Sequence, residues 1–201
     1  SHTKRGRSVN HNERRDWIGK SMKEKGFWDD GTGKLDGVLF RLSLCQTEAC
    51  EAMQEVKRYW GKETCDQEMV KNAIAEENAD FTIRVYDVAA FGGFDLETGN
   101  ELYDVVKAGP NERAQLIIQI GKLTALIGDT FALVEEDVLS DESGLTEFTL
   151  SQGADFLYTA IKHSEYICKS IGRDLYAAID AKMEVNMKRP QKYGTPDEAK
   201  V

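Results

Sequence analysis

Three features of the chain predict an all-α fold. Only three Pro occur in 201 residues, two of them in the last dozen, so long stretches lack the strongest interior helix breaker. Apolar residues recur at three- and four-residue spacing through most of the chain, and no segment sustains the two-residue alternation of a half-buried strand. Capping acids and glycines punctuate these runs where helices would begin and end.

Residues 1–11 read as a loose N-terminal arm, with Ser1-His2 a foreign remnant and Lys4, Arg5 and Arg7 a short basic stretch. From Asn12 the pattern turns helical through Trp17, Ile18 and Met22 and stops at Gly26-Phe27-Trp28, before the turn-rich stretch Asp29-Asp30-Gly31-Thr32-Gly33. A second helix is expected from about Leu35 to Trp60, with Leu39, Leu42, Ala49, Ala52, Met53 and Val56 on one face. A third runs from about Glu68 to Phe91 and ends at Gly92-Gly93.

Asp95 is expected to cap a shorter helix through Leu96, Leu102, Val105 and Val106, ending at the internal boundary Gly109-Pro110. Asn111 to Val134 reads as a helix buried on more than one side, and Glu135 to Glu147 as an acidic loop. Helix resumes from about Thr149 to Ser170, pauses at Gly172, and continues from Asp174 to Met187. The expected organisation is one domain over 12–194, its halves 12–109 and 110–194, with a tail at 195–201.

Composition narrows the function classes. Lys+Arg number 26 against 35 Asp+Glu, a net charge of -9, which argues against a duplex-binding groove because phosphate neutralisation needs clustered cations. With 41% hydrophobic and 30% charged residues the chain is globular rather than disordered. No apolar run is expected to reach the roughly 20 residues of a membrane span, nor is there a signal-peptide layout. A cytoplasmic protein without membrane or nucleic-acid partners is the expectation. Cys45, Cys50, Cys65 and Cys168 lack paired CxxC spacing and are expected to be reduced thiols.

The two halves share short words. Ala79-Asp80-Phe81 followed by Asp95-Leu96 matches Ala154-Asp155-Phe156 followed by Asp174-Leu175, each preceded by a long apolar helix. Two related helical hairpins about a pseudo-twofold axis would produce this pattern, a fused equivalent of a homodimer.

The residues that could carry chemistry are Glu48 and Glu51 on the second helix, with Glu77 and Asp80 on the third. A three-residue spacing puts both acids of a pair on one helix face, and antiparallel packing would bring the pairs together. Converging carboxylates repel one another unless a cation lies between them, and Mg²⁺ takes such oxygen ligands; Mn²⁺ is an allowed substitute. A lone ExxE is most often a solvated acidic face. Two in succession, each inside an apolar stretch (Leu42, Leu44, Ala49, Ala52; Ala79, Phe81, Ile83), weaken that alternative.

These residues resemble the MazG-like all-α nucleoside triphosphate pyrophosphohydrolases, the superfamily that includes the dimeric dUTPases. A word of type SELAEA is similar to Thr47-Glu48-Ala49-Cys50-Glu51-Ala52, and EELADxxIRxxD is similar to Glu76-Glu77-Asn78-Ala79-Asp80-Phe81-Thr82-Ile83-Arg84-Val85-Tyr86-Asp87. Lys25-Gly26-Phe27-Trp28-Asp29 looks like the KGFWD-type opening. The closing word looks like Asp174-Leu175 followed by Lys182, Asn186, Arg189-Pro190, Lys192 and Gly194, with Tyr193 where the family usually has His. The matches run from about Asn12 to Gly194 around an insertion from roughly Thr98 to Gln152. Thr47 stands where the family often has a further Glu, and the closing word lies in the second half, as duplication would explain.

The resemblance implies a MazG-like or dimeric-dUTPase-like bundle, here a tandem pseudo-dimer, that cleaves a nucleoside triphosphate between its α and β phosphorus atoms. Glu48, Glu51, Glu77 and Asp80 would hold Mg²⁺, with Glu48 or Glu51 as the base. Lys182, Asn186 and Arg189 would reach the phosphates. Trp28 could stack on the base, although a helix-end aromatic is more often a core staple. At the matching positions of the second half stand Gly121, Thr124, Gln152 and Asp155, so that half has lost most of the ligand set. A homodimer stays open.

His163 reads as the only His in a helical region and as structural or exposed, and Asp87 as exposed or paired with Arg84 or another cation. No His follows a Glu at the spacing of a di-iron bundle, and no Gly-rich phosphate loop occurs. The competing reading is a catalytically silent helical module that binds nucleotide or a partner protein.

Overall fold

The computed structural model describes residues 9–29, 33–60, 66–102 and 112–188, the side chains at 59 and 60 excepted. Six helices and no strand occur among them: α1 (His11–Glu24), α2 (Lys34–Trp60), α3 (Gln67–Gly92), α4 (Glu112–Leu139), α5 (Glu147–Ser170) and α6 (Leu175–Lys188). The all-α expectation holds for these residues.

Local chemistry sets the ends. The Asn10 side chain accepts the Glu13 amide at 2.9 Å and starts α1; Asp66 does the same for Glu68 and Met69 at the head of α3. Each satisfies a donor that the first helical turn leaves open. Gly93, at φ +85°, ends α3 in the left-handed conformation that glycine tolerates best, its N–H on the Ala89 carbonyl at 2.9 Å.

Packing builds on two hairpins. Glu48 meets Arg84 and Glu51 meets Glu77, so α2 and α3 run antiparallel. Gln119 meets His163 and Asp137 meets Thr146, so α4 and α5 do too. α2 also lies against α4 and α3 against α5, while α1 and α6 pack on α3. Helix α3 is therefore the hub, and Phe81, Val85, Tyr86 and Val88 on it are fully buried. Side chains of that size contribute roughly 1.5–3 kcal/mol each when taken from water.

Several expectations need correcting. The stretch from Phe94 to Leu102 is turn and irregular chain, and the remainder of the expected short helix, with Gly109-Pro110, lies outside the described residues. Asp95 does accept an amide two residues on, from Glu97 at 3.1 Å, but this closes a local Asx-type turn instead of a helix. Phe94 and Leu96 then bury as anchors. Phe94 sits where a Cβ on Gly92 or Gly153 would stand, the latter only 2.5 Å from its ring.

Helix α4 continues through Glu135 and Glu136 to Leu139, five residues into the expected loop, with Val134 and Asp137 facing inward and Asp137 holding Thr146 at the head of α5. By length and composition α4 is also apolar enough to cross a membrane, with an 18-residue window of mean hydropathy 1.5, contrary to the expectation that no segment would be. Its Leu116, Ile120, Leu123, Leu126 and Ile127 are buried in the bundle. Helix α1 begins at His11, so that residue leaves the expected arm; His11 is 7% exposed, with Nδ1 2.8 Å from the Tyr86 hydroxyl.

Candidate metal centre

Antiparallel pairing of α2 with α3 brings the acids together. Carboxylate oxygens of Glu48, Glu51 and Glu77 all lie within 4.8 Å of one another. Buried residues surround each: Cys45, Ala49 and Ala52 on α2, and Ile74, Ala79 and Phe81 on α3. The apolar positions fix the rotation of both helices, and the three-residue spacing then leaves the acids facing each other at the seam.

Asp80 stands beside this trio. Its Oδ2 accepts from Lys182 Nζ of α6 at 2.7 Å, so Lys182 reaches across from the second half of the chain to the carboxylates. Asn186 follows one turn later on α6 and is half-buried. Arg189, together with Pro190, Lys192, Tyr193 and Gly194, lies outside the described residues.

Two cations serve four acids. Arg84 Nε donates to Glu48 Oε1 at 3.2 Å, and Lys182 serves Asp80. Burial raises the pKa of Glu48, against the opposing hydrogen bond from Arg84. Glu77 is raised further, to about 7, by burial and then by the fields of Asp80 and Glu51, with Lys182 opposing. Burial pulls Lys182 down, but its bond to Asp80 and the nearby Glu76 and Glu77 outweigh this and raise it overall. The cluster is under-neutralised, and Glu77 bears the strain. An all-carboxylate oxygen set with uncompensated negative charge fits a hard divalent cation such as Mg²⁺.

The opening word has a different place. Trp28 Nε1 donates to Asp87 Oδ1 at 2.8 Å, and its ring meets Phe91 edge-on at 5.3 Å. Arg41, 2% exposed, lies 3.6 Å from Asp87 Oδ2 and donates to the Phe27 carbonyl at 3.0 Å. Asp87 is thus buried and paired with Arg41, which meets the expectation of a pairing with a cation other than Arg84 and sets aside exposure. The Arg41–Asp87 pair clamps Phe27 and Trp28 onto α2 and α3, which makes Trp28 a core staple.

In the second half, Gly121 is exposed, Thr124 donates to the Ile120 carbonyl at 3.3 Å, and Gln152 is half-buried. Asp155 accepts the amide of Asn100 at 2.7 Å and holds the 95–102 turn. No second acidic group of this kind occurs among the described residues. His163 is fully buried, with Nδ1 2.6 Å from Gln119 Oε1. Cys45, Cys50 and Cys168 are free thiols, and Cys65 lies outside the described residues.

Sequence reasoning missed the roles of Arg84 and Arg41. Arg84 is four residues from Asp80 and seven from Glu77, a spacing that places all three on one face. Nothing comparable marks Arg41, whose burial depends on the tertiary approach of Asp87. Comparison with family models, curated proteins and solved structures returned no match for this chain.

Proposed function

We propose that the chain is a Mg²⁺-dependent nucleoside triphosphate pyrophosphohydrolase that releases a monophosphate and pyrophosphate and serves nucleotide-pool control or housecleaning. The observation that carries this reading is the convergence of Glu48, Glu51 and Glu77, with Asp80 alongside, at a seam bordered by Lys182 from another helix. Glu48, Glu51, Glu77 and Asp80 would hold the ion. When bound, it supplies neutralisation of phosphate charge and a lowered pKa for water.

The chain's own groups divide the remaining work. Glu51 is exposed at the seam and forms no ion pair among the described residues, which suits it to take a proton from the attacking water. Glu48, pinned by Arg84, is the alternative base. Lys182, with Asn186 and Arg189 beyond it, would bind phosphate oxygens by charge-assisted hydrogen bonds. The base-stacking role of Trp28 is not carried forward, since its ring and N–H are engaged in the clamp. The contacts of α2 with α4 and α3 with α5 support a pseudo-dimer of two hairpins of the MazG-like kind.

A silent binding module is the second reading, favoured by the way Arg84 and Lys182 already neutralise two of the acids. Pyrophosphate release from a panel of ribo- and deoxynucleoside triphosphates, with and without Mg²⁺, separates the two. Enzymatic turnover requires Mg²⁺ and falls at least about a hundredfold in Glu51→Gln and Asp80→Asn, a loss of the size general-base and metal contributions carry. No release from any nucleotide, or turnover intact in both variants, sinks the enzymatic reading.

A further inference from the structure

Away from the acidic seam, α1, α5, α6 and the 96–99 turn enclose a cleft of about 420 Å³. That is within the roughly 300–1,000 Å³ range of small-molecule sites. Its walls are aromatic and its rim is polar. The His11 ring meets Tyr158 edge-on at 5.4 Å and Tyr176 at a 55° tilt and 6.4 Å. On the rim Lys162 and Glu165, one turn apart on α5, pair at 2.7 Å, and the Tyr176 hydroxyl donates to the same Glu165 oxygen at 3.5 Å. Glu97 faces them and accepts the His11 amide at 2.5 Å.

The cleft is distinct from the acidic seam. Tyr176 and Lys182 both lie on α6, six residues apart, which separates them by about 9 Å along the axis and about 120° around it. Lys182 points to Asp80, whereas Tyr176 points to His11 and Glu165. The two places are therefore offset along α6 and around it, the cleft beside Tyr86 of α3 and the seam beside Asp80.

The lining selects a ligand class. Tyr158 and Tyr176 are half-buried in the lining; Arg14 covers one face of Tyr176 and Tyr86 stacks on His11, so a planar guest would stack on the ring surface that remains, chiefly that of Tyr158, a contact that tolerates any base. Lys162 offers donors, and Glu165 and Glu97 offer acceptors, so a plain hydrocarbon ring would leave polar groups unpaired. His11 is held below the usual imidazole range, chiefly by burial, so the lining itself carries one cation, Lys162, against Glu97 and Glu165, while Arg14 over Tyr176 is paired with Asp180. A phosphate would meet net negative charge there.

We propose that this cleft binds an uncharged planar heterocycle of the nucleobase or nucleoside class, as a second small-molecule site offset along α6 from the carboxylates. The proposal stands apart from the catalytic reading. Its test is calorimetry on the full chain in EDTA with adenosine, guanosine, cytidine, uridine and thymidine, none of which carries phosphate.

At least one nucleoside is expected to bind with Kd between about 10 μM and 1 mM. Tyr158→Ala should weaken that binding by about tenfold or more through loss of a stacking face, and Glu51→Gln should leave it unchanged. Lys162→Met, on the rim, gives an independent variant should Tyr158→Ala lose its helical circular dichroism, and it too should weaken binding several-fold. The proposal is overturned by absence of binding for all five at about 5 mM, by binding unaltered in both cleft variants, or by binding lost in Glu51→Gln.

Discussion

Replacing Glu77 with Gln removes one charge from the acidic seam while keeping its shape. Burial, then repulsion from Asp80 and Glu51, raises Glu77 from 4.5 to about 7. In the unfolded chain this carboxyl loses its proton near pH 4.5; in the folded chain it holds it to about 7. Between those values the folded state binds more protons, so Glu77's contribution is full below pH 4.5, declines as pH rises, and is lost above about 7. At about 1.4 kcal/mol per tenfold change in proton affinity, the full window amounts to about 3 kcal/mol. Glu77 is partly open to solvent, and screening cuts this to about 1–2 kcal/mol.

Glu77→Gln should therefore be about 1–2 kcal/mol more stable than the parent at pH 8 in EDTA, a rise in Tm of roughly 2–8 °C for a chain of this size. At pH 4 the two proteins should coincide. Urea denaturation at both pH values measures the difference directly. A variant that is less stable than the parent at pH 8, or whose advantage does not change with pH, refutes the claim that Glu77 sits in an under-neutralised cluster.

Other expectations follow from single contacts. Gly153→Ala should cost about 1–3 kcal/mol by overpacking, because the new Cβ falls 2.5 Å from the buried Phe94 ring; thermal melting reads it. Lys182→Met should lower stability in EDTA by up to about 1 kcal/mol through loss of the half-exposed Asp80 pair, and, if Lys182 also binds phosphate, raise KM more than it lowers kcat. Burial lowers His163 to about 4, so its neutral folded form contributes stability above pH 6.5 that is lost as pH falls toward 4. His163→Phe should flatten that part of the parent's stability curve, in the opposite direction to Glu77→Gln, while costing stability at pH 8 through loss of the buried His163–Gln119 hydrogen bond.

Much of the bundle is legible in the chain because its signals are local. The apolar spacing of Leu42, Ala49, Ala52 and Val56, and the Gly92-Gly93 stop, place α2 and α3 within a few residues. The acid pairs are legible for the same reason: three-residue spacing fixes their face, and one antiparallel turn brings them together. What escaped depends on contacts distant in sequence. Asp95 carries the signature of a helix cap, yet Asn12 binds its carboxylate at 2.6 Å and the Leu96 amide at 2.9 Å, drawing the chain down onto α1. His11 looks like part of an arm until Tyr86, Tyr158 and Tyr176 enclose it. Trp28 offers a plausible stacking ring until Asp87 and Arg41, far along the chain, hold the Phe27-Trp28 segment in place.

The most direct test of the central claim is titration of the nucleotide-free protein with Mg²⁺ by calorimetry, and with Mn²⁺ by its electron spin resonance signal. The account predicts saturable binding that competes with protonation below about pH 7, where Glu77 regains its proton, and that is lost in Glu51→Gln and Glu77→Gln. Absence of binding at millimolar ion, or binding undiminished in both variants, would contradict it.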